Sequence, residues 1–176
     1  MKKLILGIVI GILLISKVFA ASLKLTTGVA GSVDKVGDAD RNGLLFKFDL
    51  PVTLQDARID MVYLRFQLQA DTTHEVLGLL VRPMLVPWAG GVRLSNLSES
   101  AASPLHINFG RIGSSSRLGQ VRITHIVRAW QQGELPNFGM LVYPVKASTS
   151  NLQLQTLPDG GLAELEIFFT GPEVKR

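Results

Sequence analysis

The arginine distribution is the feature of this sequence that most clearly suggests binding chemistry. No acidic residue occurs between Glu99 and Glu134, although the segment contains four arginines. The planar guanidinium group of arginine pairs with carboxylates through two parallel hydrogen bonds. The segment therefore predicts either a site for an acidic ligand or a solvated basic edge, and a tryptophan upstream could stack on a sugar ring. The candidate ligand-binding residues are Trp88, Arg111, Arg117 and Arg122.

A second cluster places oxygen donors at the spacing of a calcium loop. Asp38, Asp40 and Asn42 are followed by Gly43, and Asp49 stands at the twelfth position. Calcium requires clustered oxygen ligands, and glycine permits the sharp turn of such a loop. The residues after Gly43 read as a strand, which at about 3.3 Å per residue puts Asp49 roughly 20 Å from Asn42. Two interpretations stay open: a smaller structural calcium site formed by Asp38, Asp40 and Asn42, and an Asx turn without a ligand.

The sequence contains none of the common catalytic motifs. It has no Gly-x-Ser-x-Gly elbow, no His-Glu-x-x-His motif, no phosphate-binding glycine loop and no cysteine. Glu164 and Glu166 share a strand face, as the two acids of a glycosidase do, but exposed acids near a terminus more often form a solvated face. His74, His106 and His125 are scattered along the chain. We therefore predict a protein that is not an enzyme.

The first twenty residues have the pattern of a secretory signal peptide. Lys2 and Lys3 precede an apolar run over residues 4–15, and Val18 and Ala20 occupy the small-residue positions before a cleavage site. Twelve apolar residues are fewer than the roughly 20 that cross a bilayer as a helix. Cleavage after Ala20 removes three lysines, which lowers the formal net charge from +4 to +1. We expect a secreted product, extracellular or periplasmic, without a membrane anchor, and its near-neutral charge disfavours nucleic acid as a partner.

The remaining chain has the pattern of one all-β domain. Apolar and polar residues alternate in short runs, and clusters of glycine, proline and serine separate these runs. Only residues 125–132 have helical spacing: Ile126 and Trp130 lie one turn apart, Thr124 is the expected N-cap, and Trp130 is expected in the core rather than on a ligand. Eight or so strands and one short helix predict a β-sandwich, with a jelly roll as the leading topology. We predict an N-terminal strand and loop over residues 21–43 and the sandwich itself over residues 44–176. The predicted strands of the sandwich lie at residues 44–50, 59–69, 75–85, 105–109, 120–124, 138–145, 152–157 and 162–169.

Two segments resemble DNRLRE-type domains. The first, residues 44–69, reads LLFKFDLPVTLQDARIDMVYLRFQLQ and is similar to a block in which a strand ending in Phe-Asp-Leu is followed by a linker and a second strand. The second, residues 121–144, reads VRITHIVRAWQQGELPNFGMLVYP and is similar to a signature with a Val-x-x-Trp helix, a glycine and an Asn-aromatic-Gly turn. Residues 76–88 fit the strand between them, although the six-letter string that names the family is absent. The resemblance implies a β jelly roll related to carbohydrate-binding modules, including alginate-binding ones, and to disaggregatase-related repeats.

Taken together, these patterns predict a secreted, non-catalytic module that binds polysaccharide, with acidic glycans as the expected ligand class. The alternative is a structural or adhesive subunit of an extracellular assembly, whose partners would be other surface proteins. In that case the exposed strands and loops would contact protein chains instead of a glycan.

Overall fold

The structure is a computed structural model that describes residues 19–27, 29–38, 41–68, 77–112, 118–145 and 152–171. Most of the predicted signal peptide lies outside these residues. Within them the chain forms eleven strands, one α-helix and two short 3-10 helices at Val52–Leu54 and Glu99–Ala101. The strands and the α-helix are β1 (Phe19–Thr27), β2 (Ala30–Val33), β3 (Gly43–Phe46), β4 (Arg58–Leu68), β5 (Leu77–Pro83), β6 (Arg93–Leu94), β7 (Asn108–Ile112), β8 (Leu118–Arg122), α1 (Thr124–Gln131), β9 (Met140–Pro144), β10 (Leu154–Gln155) and β11 (Ala163–Gly171).

The strands form two layers that face each other. Hydrogen-bonded neighbours follow the order β1-β11-β4-β8-β7-β5-β9-β3-β2-β6, and β10 pairs with the far end of β4. Strands β1, β11, β4 and β8 form one layer, and β7, β5, β9, β3 and β2 form the other. Phe46 of β3 and Phe66 of β4 join the layers, with ring centroids 5.5 Å apart. The predicted all-β sandwich is therefore confirmed, while the jelly-roll topology stays a prediction.

The alternation of side chains explains how the layers pack. In β4, Val62, Leu64 and Phe66 are fully buried between the layers, whereas Tyr63 and Arg65 lie on the outer face. Successive side chains of a strand point to opposite faces, so a run with period two buries one face only. The predicted strand at residues 59–69 is confirmed within one residue at each end.

A second apolar cluster lies on the opposite face of the β3, β5 and β9 layer. Leu45, Leu141 and Tyr143 of that layer are buried beneath Met84, Leu97 and Ala102, which belong to the long connection between β5 and β7. The serine-rich part of this connection thus covers a second, smaller apolar core. The layer is buried on both faces, which is why β9 reads as an almost continuous apolar run.

Helix α1 packs its apolar side against the main core. Ile126, Val127 and Trp130 are buried, with Trp130 only 7% exposed, as the helical spacing predicts. The prediction that Thr124 caps the helix is wrong, because Ile123 occupies the N-cap and Thr124 Oγ1 instead accepts a hydrogen bond from the backbone N–H of Val62 at 3.0 Å. The helix is eight residues long, and none of the described helices has the length and apolar character to cross a membrane.

Candidate functional site

A hollow of about 420 Å³ opens at the edge of the sandwich, between β1 and the chain that follows β3. We call it the Trp88 hollow. Its walls include Lys24 and Thr27 of β1, Lys47 and Asp49 after β3, and Trp88 from the connection between β5 and β7. These residues are distant in sequence and come together only because the two layers pack face to face.

The indole of Trp88 is held in a fixed orientation. Its Nε1 donates a hydrogen bond to the backbone carbonyl of Phe138 at 2.6 Å, and its ring packs against the second apolar cluster. Gly31 lies next to the ring, since a Cβ at that position would be 3.3 Å from Cζ3 of Trp88. Trp88 is half-buried, so part of a fixed aromatic surface remains available inside the hollow.

The segment from Lys47 to Asp49 follows β3, which ends at Phe46. The Thr27 hydroxyl donates a hydrogen bond to the carbonyl of Lys47, and Asn137 Nδ2 donates to the carbonyl of Phe48 at 2.8 Å. Phe48 is buried, whereas Lys47 is half-buried and Asp49 is exposed. All three residues line the Trp88 hollow.

Lysines and one aspartate set the charge of the hollow. Lys24 Nζ lies 3.2 Å from Glu164 Oε1, so part of its charge is already balanced. Lys47 forms no ion pair with any described residue. The Asp49 carboxylate likewise has no hydrogen bond to a described side chain or backbone group. The hollow thus presents one unpaired cation, Lys47, and one unpaired carboxylate, Asp49, together with an aromatic ring.

The two glutamates of β11 do not form a solvated face, which corrects the expectation from the sequence. Glu164 is only 8% exposed, and Arg65 lies between the two acids, 3.7 Å from Glu164 Oε1 and 2.6 Å from Glu166 Oε2. Arg65 stands opposite Glu164 on the neighbouring strand, so the contact follows from the strand register. Each glutamate is engaged by a cation of an adjacent strand.

The structure separates the predicted ligand-binding residues. Arg122 is exposed on the outer face of β8, with its Nε 3.4 Å from Thr124 Oγ1. Strand β8 lies three positions from β1, which is roughly 14 Å at about 4.8 Å between neighbouring strands. Arg122 therefore does not border the hollow that contains Trp88. The backbone of Arg111 pairs with Gln120 across β7 and β8, but its side chain and the whole of Arg117 lie outside the described residues.

The proposed calcium loop falls partly outside the described residues. Asp38 is exposed in a turn after Gly37, Asn42 is half-buried, and Asp40 is not described. Among the residues that are described, no three acidic or histidine side chains are grouped closely enough to hold a metal ion. The calcium site of Asp38, Asp40 and Asn42 stays a prediction.

Two histidines that are far apart in sequence meet beside α1. The rings of His106 and His125 are stacked with centroids 5.8 Å apart, and Asn108 Nδ2 lies 3.2 Å from His125 Nε2. Partial burial lowers the pKa of His125 below its usual 6.5, and the neighbouring His106 lowers it further. Spacing along the chain could not reveal this pair, because His106 precedes β7 and His125 lies at the start of α1, with β7 and β8 between them.

Comparison with known proteins gives no family for this chain. No model of a known protein family matches the sequence, and no curated protein matches it. The likeness of residues 44–69 and 121–144 to DNRLRE-type domains is therefore a resemblance of short segments.

Sequence reasoning missed Lys24 and Lys47 as neighbours of Trp88. The alternation of residues 44–50 does place Lys47 on the face opposite Phe46 and Phe48. It does not say which distant segment that face meets. The pairing of β1 with β11, and the packing of the second layer against both, supply that information.

Proposed function

We propose that this protein is a secreted, non-catalytic module that binds polysaccharide, with a preference for acidic glycans. The observation that supports this most is the position of a fixed, partly exposed Trp88 ring beside the unpaired cation Lys47 in one hollow. Binding sites for small ligands usually measure about 300–1,000 Å³ and combine apolar surface with a few polar groups. The Trp88 hollow, at about 420 Å³, is of that kind.

Each wall of the hollow suits a different part of a uronate unit. The apolar face of a sugar ring packs on an indole, which provides contact area that does not depend on salt. The ammonium group of Lys47 attracts a carboxylate, and Asp49 can accept hydrogen bonds from sugar hydroxyls. In this arrangement Lys47 interacts with the carboxylate of the ligand, and Trp88 packs against its sugar ring.

The experiment compares retention on an alginate gel and on a neutral glucan gel over a range of salt concentrations. The protein is purified from cells that express the full chain. Lys47→Gln should weaken alginate binding about two- to fivefold at low salt, the range of a partly exposed ion pair. The difference from wild type should vanish at high salt, because exposed charges are screened within about 10 Å at 0.1 M. Lys35→Gln, a lysine that does not line the hollow, is the matched control.

Trp88→Ala should weaken binding to alginate at every salt concentration. Its melting temperature is measured in parallel, because Trp88 also packs on the second cluster. Equal retention on both gels, unaltered by either variant, would refute the proposed ligand class. A loss in Lys35→Gln equal to that in Lys47→Gln would refute the site.

One observation favours the alternative of an assembly subunit. Strand β1 pairs with β11 over nine residues, and no other described strand pairs with its opposite edge. A long free edge presents backbone donors and acceptors to which another chain can add a strand. Light scattering over a concentration series tests this: growth into polymers favours assembly through β1, and a constant monomer mass contradicts it.

A further inference from the structure

The outer face of β5 and β7 carries an exposed apolar patch. Leu105 and Phe109 are 85% and 72% exposed, and Ile107 and Val145 are exposed as well. The connection between β5 and β7 covers the neighbouring part of this face, where the second apolar cluster lies, but leaves these side chains in solvent. We call the exposed part the Phe109 patch. It consists of Leu80, Leu105, Ile107, Phe109 and Val145.

Exposure and strand register place these side chains on one side of the sheet. From Leu105 to Phe109 every second residue is exposed, while the residues between them are half-buried, so three apolar side chains share a face. Phe109 stands opposite Leu80 of β5, whereas the neighbouring Leu79 is fully buried in the main core. Leu80 packs against the second apolar cluster. The patch therefore continues the apolar surface of that cluster into solvent.

A gap lies beside the largely exposed ring of Phe109. Gly78, two residues from Leu80, faces the same side of β5 and has no side chain. A Cβ at Gly78 would contact only Val145 among the described residues, with Cγ2 as the nearest atom at 3.4 Å. Phe109 and Gly78 are diagonal neighbours on adjacent strands, which places them about 7–8 Å apart. The patch thus holds an exposed ring and a gap side by side.

We propose that the Phe109 patch is an interface through which two copies of this chain form a weak two-fold dimer. In a two-fold contact the same patch lies on both sides, so the Phe109 ring of each copy meets the gap at Gly78 of the other. None of the five patch residues is charged, and the formal net charge of +1 after cleavage at Ala20 causes little repulsion between copies. The inference does not depend on the proposed function, because none of the patch residues lines the Trp88 hollow.

The area of the patch sets the expected strength of the dimer. A phenylalanine side chain buries about 150–250 Å², and the exposed fractions of the five residues amount to roughly 400 Å² of apolar surface per copy. Burying the patch of both copies removes roughly 800 Å², and a polar rim brings the total close to about 1,000 Å², the lower limit for a specific interface. We therefore expect a dissociation constant on the order of 10–100 μM.

Sedimentation equilibrium over about 1–500 μM protein, a range that brackets the expected dissociation constant, measures this association. The protein is purified from cells that express the full chain. We expect the average mass to rise from that of a monomer toward twice that value and then to level off, because a two-fold contact is closed. A mass that stays monomeric over the whole range refutes the dimer. A mass that grows beyond two copies refutes the closed contact.

Two matched variants test whether the patch forms the contact. Leu105→Glu and Val52→Glu place a carboxylate at almost equally exposed apolar positions, since Val52 is 82% exposed, but Val52 lies outside the patch. Leu105→Glu should weaken dimerisation about tenfold or more, because the contact would bury an unpaired charge. Val52→Glu should leave it unchanged. Equal effects of the two variants would refute the location of the interface, and circular dichroism checks that both are folded.

Phe109→Ser and Gly78→Ala test the docking of the ring in the gap. The first removes the ring, and the second fills part of the gap with a methyl group that meets Val145 at an ordinary contact distance, so the fold should tolerate it. Each should weaken the dimer severalfold. A loss in Phe109→Ser without a loss in Gly78→Ala would refute the two-fold arrangement.

Two further outcomes would overturn the inference. A dimer that neither Phe109→Ser nor Gly78→Ala weakens must form elsewhere, for example through the edge of β1. A wild-type protein that stays monomeric but binds phosphatidylcholine vesicles, and loses this binding in Phe109→Ser, would show that the patch contacts lipid instead of a second copy.

Discussion

The side chain of Arg82 is hydrogen-bonded to the backbone of Ala102, because its Nη2 donates to the Ala102 carbonyl at 2.8 Å. The same guanidinium reaches the carbonyl of Ser103 at 2.8 Å and the hydroxyl of Tyr143 at 3.1 Å. Arg82 is only 6% exposed. A buried arginine of β5 therefore fastens the connection that covers the second apolar cluster and carries Trp88.

Replacing Arg82 should destabilise the protein substantially. In Arg82→Leu the carbonyls of Ala102 and Ser103 stay buried without their donor, and each unpaired group costs about 1–3 kcal/mol. We expect the free energy of unfolding to fall by about 3 kcal/mol, as measured by urea denaturation. Arg82→Lys should not restore stability, because a single ammonium group cannot reproduce the fork of donors.

The control for Arg82 is Arg58, which pairs with Asp60 at 3.1 Å on the surface and has a side chain that is 82% exposed. Arg58→Leu should change the free energy of unfolding by no more than about 1 kcal/mol. If Arg82→Leu and Arg58→Leu lowered the free energy of unfolding equally, the buried hydrogen bonds of Arg82 would contribute no more than an exposed ion pair.

Deleting the indole of Trp130 should cost more than any surface change. Trp130 packs in the main core together with Ile126 and Leu54. Its replacement by alanine removes a large buried aromatic group, which costs about 3–5 kcal/mol. Thermal unfolding followed by circular dichroism measures the change. An unaltered melting temperature in Trp130→Ala would contradict the core position of this residue.

Local patterns predicted the strands well where packing on one face determines them. Strand β4 was located within one residue because its alternation directly reflects the buried face. The strand predicted at residues 44–50 ends at Phe46, where Gly139 approaches with φ of +90°. A Cβ at Gly139 would lie 2.3 Å from the Phe46 carbonyl oxygen, a close approach that the sequence around residue 44 cannot reveal.

The candidate site was harder to predict than the strands. The acid-free segment drew attention to arginines on β7 and β8, but sequence charge alone does not indicate which strand lies next to which. Strand order places β1 and β8 on opposite sides of one layer, so Lys24 of β1, rather than Arg122, borders Trp88. Thr124 shows the same effect on a smaller scale, because a neighbouring strand uses the hydroxyl expected to cap the helix.

The predicted cleavage after Ala20 is compatible with the strand pairing of β1. Phe19 and Ala20 stand opposite Gly171 and Thr170, and the pairs from Ala21 to Thr27 remain after cleavage. We expect an exported product that begins at Ala21 and keeps β1 in place. Intact-mass measurement of the purified product tests this, and a product that retains residues 1–20 would contradict the prediction.

Stability should decrease on mild acidification because of the pair His106 and His125. The pKa of His125 is lowered below 6.5 by partial burial and by His106, so the folded protein binds a proton less readily than the unfolded chain. The contribution is constant above about pH 6.5, and stability falls as the pH drops from there through the lower pKa of the folded state. We expect a small decrease in melting temperature between about pH 7 and pH 5, since His125 is largely exposed.

His106→Asn provides the test of cause. It removes the neighbouring imidazole that lowers the pKa of His125. The pKa of His125, followed by NMR titration, should therefore rise toward its usual value, and the decrease in melting temperature on acidification should become smaller. The carboxylates are distinguishable by their pH window: hydrogen bonds, first from Thr26, lower the pKa of Asp159 below 3.8, so its contribution is lost only in stronger acid. A melting temperature that stays constant through the histidine range in the wild type, or a decrease that His106→Asn does not reduce, would contradict the role of the pair.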